Sequence, residues 1–221
     1  MLFAPTLLWS SHLFDLTIST VLARAIALLL GFSVHEAAHA WVAYQLGDDT
    51  AARHGRLTLN PLAHLDPLGA IMALVAMIGW ARPVPVNPWR LRYGPRVGGA
   101  LVAAAGPFSN LLMAAVVAVP WRMGLFDGAP KLVLTVAWTF VALNVALFLF
   151  NLIPLAPLDG ISVLSGIVGR ETAARLAPLH TYGPQILLVL IMIGYVAPQL
   201  NILGKTLFPA MRWLLGLLLG Y

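Results

Sequence analysis

The residues best suited to chemistry lie in His35-Glu36-Ala37-Ala38-His39. His35 and His39 are four apart, so on a helix they share one face, and two imidazoles on one face can hold one zinc ion. Glu36 stands beside them and can take a proton from a water activated at that ion. The residues just before, Ala25-Ile26-Ala27-Leu28-Leu29-Leu30-Gly31-Phe32, are of the kind found in lipid. The pattern predicts a hydrolytic metal site inside a membrane helix.

A catalytic zinc takes three protein ligands and leaves one position open. The chain has no cysteine, so the third ligand must be His, Asp or Glu. Only Asp159, among eight acidic residues, directly follows a full apolar span, through a turn broken by Pro154 and Pro157. An ionisable group at membrane depth is costly and points to function. Broken backbone at that depth is tolerated only where it is packed in protein or lines a cavity. Asp159, followed by Gly160, is therefore the predicted third ligand of one zinc per chain. His54 and His64, beside an Arg-rich loop, read as surface histidines. His12 and His180 read as having no metal role.

These residues need a membrane scaffold, and the composition supplies one. Of 221 residues, 60% are hydrophobic and 10% charged, against about 45–50% and 25% in soluble domains. The net charge of +5 does not point to nucleic acid, because the basic residues are scattered through short loops. The N-terminus has no positively charged start and does not read as a cleaved signal peptide. The fold class expected is an all-α polytopic membrane protein with about four to six transmembrane helices. A single domain covers 1–221, with a catalytic core over about 14–165.

In chain order, the pattern predicts one long helix over 13–47, then spans over 98–121, 132–153 and 184–203. An apolar piece over 207–219 is of undecided depth. Residues 1–13 read as interfacial. Asp15 and Arg24 are nine apart and point to opposite faces, and Arg24 is expected to snorkel to the interface. The 67–80 stretch is short for a crossing, and three prolines in Arg82-Pro83-Val84-Pro85-Val86-Asn87-Pro88 favour an extended segment. Residues 57–88 are therefore expected to form a re-entrant or β-hairpin element near the site, with a short strand over 57–59. If this element makes no net crossing, the first helix and 132–153 run in parallel, and His35 and Asp159 lie at similar depth. Arg53, Arg56, Arg82, Arg90, Arg92, Arg96, Arg170 and Arg175 then fall on one side, against Arg122, Lys131 and Lys205 on the other. That excess places the site toward the cytoplasmic face of the plasma membrane, with the N-terminus outside.

His35-Glu36-Ala37-Ala38-His39, Gly106-Pro107-Phe108-Ser109-Asn110 and Asn151-Leu152-Ile153-Pro154…Leu158-Asp159-Gly160 together resemble the site-2 protease family of intramembrane zinc metalloproteases. Gly55-Arg56-Leu57-Thr58-Leu59-Asn60-Pro61 and Ala81-Arg82-Pro83-Val84-Pro85-Val86-Asn87-Pro88 resemble its compact prokaryotic branch, without PDZ or nucleotide-binding domains. The resemblance implies hydrolysis of a peptide bond in or near a transmembrane segment of a membrane protein, as in regulated proteolysis or clearance of signal-peptide remnants. It implies zinc on His35, His39 and Asp159, with Glu36 as base. Asn151 is implied as the group steadying the substrate carbonyl or oxyanion, with Asn110 a second candidate. Ala156 stands where relatives often have a second proline. The partners implied are the lipid bilayer and a transmembrane substrate. A metal-ion transporter or metal-binding membrane protein would place several acidic or His pairs along a path, and the sequence offers one cluster. An inactive scaffold would not need Glu36.

Overall fold

Thr17 starts the first helix by accepting from the Thr20 amide at 3.4 Å. Helix Ile18–Gln45 (α1) then runs until the chain turns at Gly47, whose φ of 99° suits a residue without a Cβ. The computed structural model describes residues 17–76 and 79–220; the expected interfacial run 1–13 and Asp15 lie outside them. The short helices Thr50–Arg53 (α2), Pro61–His64 (α3) and Pro67–Ala76 (α4) follow. Two long helices come next, Gly94–Arg122 (α5) and Lys131–Asn151 (α6). The chain ends with Gly160–Ile167 (α7), Arg170–Arg175 (α8), Ala177–Thr181 (α9), Gly183–Val196 (α10) and Ile202–Leu219 (α11).

The protein is an all-α multi-pass membrane protein. Helices α1, α5, α6 and α11 are long and apolar enough to cross a bilayer. Leu22, Ile26, Leu29 and Leu30 on α1 and Leu112, Val116 and Val119 on α5 are exposed, as lipid-facing positions should be. The expected span over 184–203 is shorter than the pattern suggested. α10 has 14 residues, about 21 Å, against a core of about 30 Å. It stops because Pro198 cannot continue it. The piece over 207–219 gains depth instead, as part of the 18-residue α11.

Packing sets the directions of the helices. Leu28 packs with Leu143, and Gly31 abuts Leu147, so α1 and α6 run the same way. α5 runs oppositely, because its Val102 meets His39 and its Asn110 meets His35. α11 joins α5 and α6 through Ala114, Val141, Val145 and Leu215. Arg24 corrects an expectation: it is only 2% exposed, held in the protein interior rather than snorkelling.

The 57–88 region is folded back as expected, with α4 closed off by one antiparallel bridge between Leu65 and Ala81. No strand forms among the described residues. Residues 57 and 58 are bends and Leu59 has no regular structure, because the Thr58 carbonyl that a ladder would use is taken by His64 Nε2 at 2.8 Å. After the bridge, residues 82–88 run as a strap, without regular structure as far as the extended Asn87 and entering a short 3-10 helix at Pro88. Arg82 N–H donates to His64 O at 2.7 Å at one end. At the other end Asn87 N–H donates to the fully buried Asp48 at 2.6 Å, and Arg90 pairs with Asp49 at 2.6 Å. A hydrogen bond from Arg53 holds the Asp49 carboxyl below its usual range, so it stays charged for that contact.

Candidate metal centre

His35 and His39 lie on the inner face of α1, both buried. Asp159 reaches them from the turn after α6. Residues 152–159 cannot continue the helix past Pro154, and Leu155 and Leu158 anchor the turn against Leu187 of α10. Gly160 lies against the carbonyls of Leu152 and Ile153, so close that a side chain there would displace backbone. This packing fixes Asp159 at the start of α7. Its Oδ2 comes to rest 3.1 Å from His35 Nε2 and 3.4 Å from His39 Nε2.

Each imidazole is fixed through its Nδ1. His39 Nδ1 is 2.7 Å from the Val102 carbonyl, which can only accept, so Nδ1 carries the hydrogen. His35 Nδ1 is 2.6 Å from Asn110 Oδ1 and donates to it. In their neutral forms both rings then carry a lone pair on Nε2. Asp159 Oδ2 is buried without a hydrogen-bond partner. Two Nε2 atoms and a carboxylate oxygen this close are unfavourable together unless a proton or a metal cation lies among them. Two neutral imidazoles and one carboxylate, each imidazole fixed through its other nitrogen, form a donor set that suits zinc and leaves a fourth position open. The residues fit the ion, and the three ligand atoms lie within 4.8 Å of one another.

Gly106 makes this approach possible. A Cβ there would fall against His39 Nε2 and within 2.6 Å of His35 Nε2. Gly106 stands within the Gly106-Pro107-Phe108-Ser109-Asn110 motif, which alone assigns it no role. A glycine beside a proline in mid-span was the available sign of a close backbone approach.

The cluster opens onto a cavity of about 580 Å³ lined by Glu36, Val84, Asn151 and, farther out, Arg96 and His180. Glu36 Oε2 accepts from the Val84 backbone N–H at 3.1 Å. Asn151 spends one amide hydrogen on Leu147 O at 3.0 Å and has a second to give. Asn110 sits differently from the oxyanion role considered for it. It is fully buried, its Oδ1 faces His35, and its amide hydrogens go to Gly31 O at 3.1 Å and Asn144 Oδ1 at 3.0 Å. No donor remains for a substrate. His64 is not a surface residue but completely buried, while His54 and His180 are exposed.

Comparison with known proteins gives consistent names. The chain is 44% identical over 197 residues to "Putative zinc metalloprotease YwhC" of Bacillus subtilis, covering 80% of this chain and 84% of the relative. It is 33% identical over 199 residues to "Putative zinc metalloprotease Rip2" of Mycobacterium tuberculosis, covering 86% and 71%. Rip2 of Mycolicibacterium smegmatis is 30% identical over 192 residues, covering 84% and 70%. No family model and no solved structure matches the chain.

Proposed function

Because the chain belongs to the family of zinc metalloproteases that includes YwhC and Rip2, we propose that it is an intramembrane protease of the site-2 type, compact branch. In this reading it is one membrane-embedded domain that hydrolyses a peptide bond in or near a transmembrane segment of another membrane protein. The observation that carries the reading is the convergence of His35 Nε2, His39 Nε2 and the buried Asp159 Oδ2 within a chain whose long helices are apolar enough to cross a membrane. In this reading the site faces the cytoplasm across the plasma membrane with the N-terminus outside, an orientation that the excess of arginine in the loops on the site's side supports.

His35, His39 and Asp159 would hold the zinc, which when bound would supply activation of water at neutral pH and polarisation of a carbonyl. Glu36 accepts the proton of the attacking water and returns it to the leaving amide nitrogen. Its Oε2 is held by Val84 N–H, which leaves Oε1 for that proton. Asn151 turns its second amide hydrogen to the developing oxyanion. Asn110 holds His35 instead.

The strap at 82–88 constrains how an unwound substrate can pair with it. Pro83, Pro85 and Pro88 have no N–H, Val84 gives its own to Glu36, and Asn87 gives its own to Asp48. The strap therefore offers mainly carbonyls, and an extended substrate would pair by donating its own amides to them. Val84→Pro deletes the hydrogen bond to Glu36 at a position that already has a proline on either side. A hydrogen bond to a charged group contributes about 1.5–3 kcal/mol. The expected result is a kcat lowered by up to roughly 10–100-fold, with zinc content and KM near wild type, read in steady-state cleavage assays.

The whole reading is tested on protein purified in detergent, with a tagged membrane substrate. One zinc per chain, cleavage lost on chelation and cleavage restored by added zinc are expected. Stoichiometric zinc without cleavage would instead favour a metal-binding protein or an inactive scaffold.

A further inference from the structure

We propose that Asn144 is a positioning residue of the metal centre: acting through Asn110, it fixes the proton of His35 on Nδ1 and so aims an unprotonated Nε2 at the ion. The inference rests on the zinc reading above. Asn144 lies in mid-α6, fully buried in an otherwise apolar stretch, and does not line the cavity. It touches neither substrate nor metal.

The orientation of every group in the relay follows from two backbone carbonyls, which can only accept. Asn144 presents one side-chain atom to Phe140 O at 2.9 Å, so that atom is its nitrogen and its oxygen faces Asn110. Asn110 presents one atom both to Gly31 O at 3.1 Å and to Asn144 Oδ1 at 3.0 Å. That atom is also nitrogen, and both its hydrogens are used. The Asn110 oxygen is then the atom facing His35 Nδ1 at 2.6 Å, and Nδ1 must donate. A neutral imidazole with its hydrogen on Nδ1 has a lone pair on Nε2. Carbonyls on α1 and α6 thus set the tautomer of a ligand through two amides, the kind of outer partner that fixes metal-bound histidines.

Without Asn144, one Asn110 hydrogen loses its acceptor in a buried, apolar setting. With only the Gly31 carbonyl left to oppose it, rotation of the amide by half a turn, which presents its NH2 group to His35 Nδ1, becomes easier. That favours the tautomer with hydrogen on Nε2, where it blocks the ion. Asn144→Leu is close in size and removes the acceptor. Zinc affinity, measured by chelator competition on the zinc-free protein, should fall about 10–100-fold. Asn110→Asp presents an acceptor to His35 whichever way it faces. In that background Asn144→Leu should cost zinc affinity at most a few-fold more.

A packing role alone gives a different result, namely lower thermal stability with unchanged zinc affinity, or losses that add in the double variant. Either result overturns the proposal. If Asn144→Leu does not fold, nitrogen NMR of labelled histidines in the zinc-free wild type decides. Neutral His35 should carry its hydrogen on Nδ1, and a neutral ring with its hydrogen on Nε2 sinks the proposal. Absence of zinc binding by the wild type would instead sink the metal-centre reading on which this one rests.

Discussion

Glu36→Gln is expected to leave one zinc bound and to lower cleavage by about 10²–10⁴-fold, the usual contribution of a positioned general base. The substitution is nearly isosteric. Its side-chain oxygen can still accept from Val84 N–H, so the strap contact seen at Glu36 Oε2 survives. The three ligand atoms belong to His35, His39 and Asp159 and do not involve Glu36. What disappears is a carboxylate able to take and return a proton. Metal analysis and a cleavage assay on the same preparation check both halves. Zinc loss would mean that Glu36 shapes the metal site, and cleavage above about a tenth of wild type would reassign the base.

The separation between metal holding and proton transfer was legible in the sequence because it depends on spacing and depth. Residues four apart on a helix share a face, which gave His35 and His39. Asp159 could be found because so few acidic residues follow an apolar span directly. The long spans were legible for the same reason, since a bilayer imposes length and apolarity on any helix that crosses it. Their ends were less so: the run over 184–203 reads as uninterrupted in composition, yet Pro198 divides it into α10 and a separate start for α11.

The roles of Asn110, Val84 and Asn144 were out of reach because they depend on which polar atom faces which across helices far apart in sequence. Asn110 and Asn151 look alike as polar residues at apolar spans. Only the Gly31 carbonyl and Asn144 commit the first of them to His35. Val84 acts through a backbone N–H, which has no letter in the sequence. The strand expected over 57–59 failed for a related reason. His64, 0% exposed, takes the Thr58 carbonyl, and local polar partners outcompete a ladder in so short a run.

Gly106→Ala puts two physical effects in opposition. Within a helix, alanine is favoured over glycine by roughly 0.5–1 kcal/mol, so helix propensity alone predicts a slightly more stable α5. The packing predicts the reverse at the site. The added Cβ would press on His39 Nε2 and lie 2.6 Å from His35 Nε2, the two atoms that face the metal. Neither ring can yield freely, because His39 is tied to Val102 O and His35 to Asn110 through their other nitrogens. Relief must come from moving the ligands or from parting α1 and α5, whose approach His39 and Val102 define. Misplacing a reacting group by about 1 Å can cost about 10²-fold in rate, and two ligands are displaced here. The expected result is a folded protein with thermal stability near wild type in the absence of zinc, zinc affinity lower by at least about 10²-fold, and cleavage lost in proportion. Thermal melts of the zinc-free protein, paired with chelator competition, check it. Zinc affinity unchanged by this one methyl group would show that the ligand atoms do not lie against Gly106, and the geometry of the site would have to be redrawn.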